Sequence, residues 1–94
     1  MADALARHAE LLSEIVIPAT GLPKSEIARR LGISRQTLHD ILSCKQPVTP
    51  AMAVRLGKFF GDGGRVWLRM QAEHDLWRAQ REIDVSSIDT VRAA

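Results

Sequence analysis

A chain of 94 residues with 46% hydrophobic and 26% charged residues has the make-up of one small globular domain, which excludes a disordered or membrane-embedded polypeptide. The formal net charge of +2 hides an asymmetry: residues 24 to 58 hold seven bases and two acids, a net of +5, whereas residues 1 to 23 carry −2 and residues 61 to 94 carry −1. A positive body between mildly acidic ends points to a polyanionic partner and away from an acidic substrate.

The longest uncharged apolar run, Ile15 to Ala19, is too short to span a bilayer. Met1 to Leu12 lacks the basic start and apolar stretch of a signal peptide. The single cysteine, Cys44, excludes an internal disulfide and fits a reducing compartment. These features predict a cytoplasmic protein.

Apolar residues recur at spacings of three and four almost throughout, which predicts an all-α fold of five helices. The first spans about Asp3 to Val16, with Leu5, His8 or Ala9, Leu12 and Ile15 or Val16 on its inner face, and Pro18 and Gly21 punctuate its end. The second begins at Pro23 or Lys24 and stops at Leu31, before Gly32. The third opens on Ser34, whose hydroxyl can accept an orphan amide hydrogen, and runs to about Ser43. The fourth has Thr49 as cap, Pro50 at its first position and Gly61 just past its end; Met52 or Ala53, Leu56, Phe59 and Phe60 face inward, and Gly57 lies within it. The fifth follows Gly63 and Gly64 and reaches about Arg81. This divides the chain into a domain of residues 1–81 and a tail of residues 82–94, a short strand, a fraying helical turn or a disordered segment.

Residues 24–43 carry the function. Ile27 and Leu31 point inward from the first helix of a pair, and Ala28 is small where the two helices cross. Gly32 can take the left-handed conformation of a tight turn, which costs a residue with a Cβ roughly 1 kcal/mol or more. Ile33 plugs the turn, and Leu38, Ile41 and Leu42 return the second helix to the core. This is the pattern of a helix-turn-helix.

Burial of Leu38 and Ile41 leaves the opposite side of that second helix free. An α-helix fits the major groove of B-form DNA, and its first residues make most base contacts. Arg35 can pair in two-point fashion with guanine and Gln36 with adenine, while His39 and Thr37 complete the base-reading set. Ser34, Lys24, Arg29, Arg30, Ser43 and Lys45 are the expected phosphate contacts, which position without reading sequence. Asp40 would be repelled by phosphates, so a local partner such as Lys45, or a plain helix-surface role, is expected for it.

The stretch GLPKSEIARRLGISRQTLHDILSCK, from Gly21 to Lys45, resembles the lambda-repressor-like, or xenobiotic-response-element, helix-turn-helix family. With VTPAMAVRLGKFFG, from Val48 to Gly61, and VWLRMQAEHDLWRAQ, from Val66 to Gln80, it looks like the HigA antitoxin branch that includes proteins labelled virulence-associated protein I. The resemblance covers about residues 5 to 81 and departs at Pro23, where the family usually has Ser or Thr, and at Gly63-Gly64, which replace a polar cap. It implies a five-helix lambda-repressor-like domain with a long C-terminal helix, and the antitoxin of a type II toxin–antitoxin pair. Such a protein would bind a small ribonuclease toxin and, as a homodimer, repress its own operon.

The fifth helix carries two apolar stripes, one of Trp67, Met70, His74 and Trp77 and one of Leu68, Ala72, Leu76 and Ala79. A surface helix in a small domain normally buries one. The stripe of Trp67, Met70, His74 and Trp77 is expected at a dimer interface, which would set two recognition helices about 34 Å apart on a near-palindromic double-stranded DNA operator. A phage-type repressor without a toxin, and a protein-interaction adaptor, are the alternatives. Glu73, His74 and Asp75 are consecutive and point in different directions on a helix, so no enzyme is expected. Neither a metal-ligand spacing nor a phosphate-cradling loop is present, so no metal or cofactor is expected.

Overall fold

In the computed structural model, which describes residues 3–91, every regular element is helical. The chain begins with α1 (Ala4–Leu11), a π-helical turn (Leu12–Val16) and α2 (Ile17–Thr20), which together form one interrupted helix. There follow α3 (Lys24–Leu31), α4 (Arg35–Leu42), α5 (Pro50–Phe60) and α6 (Gly64–Glu82). Counting the interrupted helix once, the architecture is the five-helix all-α arrangement expected.

The first helix continues past Pro18 instead of ending there. Proline has no N–H, and its ring collides with the carbonyl four residues back in a regular helix. The π turn just ahead, where the Ile17 N–H reaches back five residues to the Leu12 carbonyl, widens the backbone at that point. The helix ends at Gly21, which takes φ +71°. The extra residue also re-phases the inner face: Leu5, Ala9 and Leu12 are buried as expected, but the next buried residue is Ile17, and Ile15 is 61% exposed.

Thr49 caps α5 by accepting from the Met52 N–H at 3.3 Å. Gly57, the glycine inside that helix, is buried where α6 crosses. A Cβ there would lie 2.5 Å from the Gly63 carbonyl carbon and closer still to the Gly64 nitrogen. The crossing therefore has backbone packed on backbone and admits no side chain. It directs Trp67 into the centre of the domain among Leu5, Leu12, Leu38 and Leu56. Its indole Nε1 donates to Asp62 Oδ1 at 2.8 Å, and the His8 ring meets it edge-on at 4.8 Å.

This placement corrects the dimer expectation for α6. Trp67 is 1% exposed within a single chain, Met70 packs against the core, and His74 is hydrogen-bonded through Nδ1 to the Asp3 carboxylate. Only Trp77 of that stripe emerges, at 37% exposure and with the Arg81 guanidinium 4.2 Å from its ring centre. The other stripe is the free one, with Leu68 and Leu76 exposed. Residues 83–91 form no strand; a turn closes there, with the Ile88 N–H donating to the Val85 carbonyl at 2.9 Å. The expectations for residues 92–94 lie outside the described residues.

Candidate nucleic-acid interface

The interface is built by α3, the turn after it and α4. Ile27, Ala28 and Leu31 are buried on one side of α3, and Leu38 and Ile41 on one side of α4. Gly32 ends α3 with φ +73°, and the Ile33 N–H donates to the Ala28 carbonyl at 3.0 Å, which fixes the turn. Pro23 stands at the cap position of α3, and its carbonyl accepts from Glu26 and Ile27 N–H groups at 3.0 and 3.1 Å.

The outward side of α4 presents Arg35, Gln36 and His39, all exposed, and with Lys24 from the start of α3 they line one open groove of about 560 Å³. Three of the four expected base-reading residues are thus brought together with one expected phosphate contact. The fourth, Thr37, is not free: its N–H donates to Ser34 Oγ at 3.0 Å, and the Ser34 hydroxyl donates to Thr37 Oγ1 at 2.8 Å. Ser34 and Thr37 together close the helix start.

The remaining expected phosphate contacts lie outside this groove. Arg29 donates to Glu26 at 2.9 and 2.6 Å and Arg30 donates at 2.8 Å, so that both guanidiniums are gathered around one carboxylate. The bonds from these two arginines, Arg29's first, hold the Glu26 carboxyl pKa down at about 2. Ser43 turns its hydroxyl back to the His39 carbonyl at 2.7 Å. Lys45 follows α4 and borders a separate hollow with Cys44, Gln71 and His74. Asp40 does not pair with the Lys45 side chain; its carboxylate accepts from Gln36 Nε2 at 2.9 Å, and only the Lys45 backbone N–H reaches the Asp40 carbonyl, at 2.8 Å.

Two residues that sequence reasoning did not single out, Arg55 and Gln71, support the candidate interface from behind. Arg55 of α5 donates through Nη1 to the Leu31 carbonyl at 2.7 Å, closing the end of α3. Gln71 of α6 is buried; its Oε1 accepts from the Val48 N–H at 2.8 Å and its Nε2 donates to Asp75 at 2.9 Å, tying the loop after α4 to α6. Cys44 takes φ +59° at the end of α4, a conformation that favours glycine. Burial, and then the charge of Asp3, pushes its thiol pKa up, which makes it a poor nucleophile.

Among the described residues no group of three His, Cys, Asp or Glu side chains could hold a metal, and no helix is long and apolar enough to cross a membrane. No family model matches the chain. It is 30% identical over 73 residues to virulence-associated protein I of Dichelobacter nodosus, a match spanning 78% of this chain and 68% of that protein. In structure it is similar to a protein from Nostoc punctiforme described as an antidote of a plasmid maintenance system, with 31% identity, TM-score 0.69, and coverage of 80% of this chain and 82% of the other. It shares its fold with the Pseudomonas aeruginosa antitoxin HigA solved with the higBA promoter, at TM-score 0.72, 24% identity, and coverage of 89% and 95%. Two of these three proteins are described as an antidote and an antitoxin.

Proposed function

Because the chain belongs to the helix-turn-helix family of HigA-type antitoxins and virulence-associated proteins, we propose that it binds operator DNA through α4, represses its own operon and neutralises a small ribonuclease toxin. The observation that carries the DNA-binding reading is the groove in which Arg35, Gln36 and His39 stand beside Lys24 with their polar ends free of the domain core. Arg35, Gln36 and His39 read base edges; Lys24 and Lys45 contact phosphates, and the α4 start at Ser34 offers amide hydrogens to one more. Arg29 and Arg30, held by Glu26, add a weaker, screened field.

A homodimer would be built on the free parts of α6 and the tail. Leu76 is 52% exposed, and Ala79, Gln80, Ile83 and Val85 line an apolar hollow at the end of the helix. For the toxin, the proposed face is the first helix, where Leu11 and Ile15 stand exposed beside Glu10 and Glu14. That acidic, apolar stripe suits a basic partner.

The experiment is a titration of the chain on the promoter upstream of its own reading frame, against an unrelated duplex, at several salt concentrations. Arg35→Ala is expected to cut specific affinity by about 1–3 kcal/mol, whereas Lys24→Ala should weaken both duplexes alike and lower the salt slope by about one. Equal affinity of the unaltered chain for promoter and unrelated duplex would overturn the reading.

A further inference from the structure

We infer that Asp40 is a positioning residue for base reading: its carboxylate holds the Gln36 carboxamide in one of its two orientations, so that Gln36 presents a defined edge selective for adenine. The inference deepens the DNA-reading proposal above and rests on it.

The charged residues of the stretch 24–58 are all basic except for Glu26 and Asp40. Glu26 is matched by Arg29 and Arg30. Asp40 has no ion pair among the described residues, and it stands one turn from Gln36 on the helix that faces the duplex. A negative charge at such a surface opposes binding to phosphates, so its contribution must lie elsewhere than in affinity. A Gln–Asp pair four residues apart adds only slightly to helix stability.

The bond itself supplies the reason. An ionised carboxylate only accepts hydrogen bonds. The Gln36 amide nitrogen, 2.9 Å from Asp40 Oδ1, is therefore the end that faces it, and Oε1 is turned away. An exposed glutamine without such a partner has a broad, roughly two-fold terminal torsion and exchanges its donor and acceptor ends. Base edges distinguish those ends: adenine offers one acceptor and one donor in the major groove, guanine two acceptors. Held by Asp40, Gln36 retains Oε1 and one N–H, the pair that adenine matches. Arg35, its neighbour in the groove, carries donors only and needs no such orientation.

The test is selection from a duplex library with a randomised window one helical turn long, using the full chain, Gln36→Ala, Asp40→Asn and the double variant. Asparagine at that position can either accept from or donate to the carboxamide, so it removes the orientation while keeping the size. Gln36→Ala is expected to lower adenine preference at one base pair by about tenfold. Asp40→Asn should lower it severalfold at that same base pair and nowhere else, and the double variant should be no worse than Gln36→Ala. Affinity of Asp40→Asn for an unrelated duplex should rise, with the melting temperature unchanged. Retention of the full adenine preference in Asp40→Asn, or its equal loss at every position, would overturn the inference while leaving DNA reading intact. A full chain that selects no motif at all would overturn both.

Discussion

The guanidinium of Arg55 occupies the space that a side chain on Gly32 would need. Arg55 Nη1 donates to the Leu31 carbonyl at 2.7 Å, and a Cβ built on Gly32 would overlap that same nitrogen. The turn of the helix-turn-helix is thus closed from outside the motif by a residue of α5, and the glycine answers two demands: a left-handed backbone and an open path for the arginine.

Gly32→Ala is expected to cost roughly 1 kcal/mol for the positive φ and about 1 kcal/mol more as Arg55 is displaced from the carbonyl. Because both substitutions break one bond, Gly32→Ala and Arg55→Ala should be less than additive in chemical denaturation. Strict additivity would separate the two residues.

Gly57→Ala should be more damaging. Its Cβ meets the backbone of Gly63 and Gly64, which cannot swing aside as the Arg55 side chain can. A cost at or above the upper end of the ~1–3 kcal/mol range for overpacked cores is expected, read as a fall in melting temperature and loss of Trp67 burial by fluorescence. A neutral effect would mean that α6 can lift from α5.

Gln71→Ala removes the acceptor of the buried Val48 N–H. The expected loss is about 1–3 kcal/mol, with faster hydrogen exchange at Val48 and its loop and little change at Leu38. Unaltered exchange at Val48 would show another acceptor taking over.

Glu26 makes acid the weak side of this surface. Its folded pKa, about 2, lies below the ordinary value of 4.5, so its contribution is present above pH 4.5 and is lost as pH falls toward 2. The cluster is exposed, so the effect is small and screened by salt. Glu26→Gln should flatten the fall in melting temperature across that window; identical acid profiles would remove the assignment.

The sequence by itself determined the local part of this protein. Ser34 and Thr49 cap helices, Gly21, Gly32 and Gly61 end them, and the inward sets of α3 and α4 follow from spacing, because these interactions join residues at most about a turn apart. The grouping of Arg35, Gln36 and His39 followed directly, since burying one side of an amphipathic helix exposes the other. Only the tertiary structure decided which stripe of α6 turns inward. Trp67 and Leu68 both sit at helical spacing from apolar partners, and the choice is made by the Gly57–Gly64 crossing, which sets the rotation of α6 about its own axis. The same holds for Arg55 on Leu31 and Gln71 on Val48: each joins residues more than twenty positions apart, and no periodicity within one helix encodes the angle at which another helix crosses it.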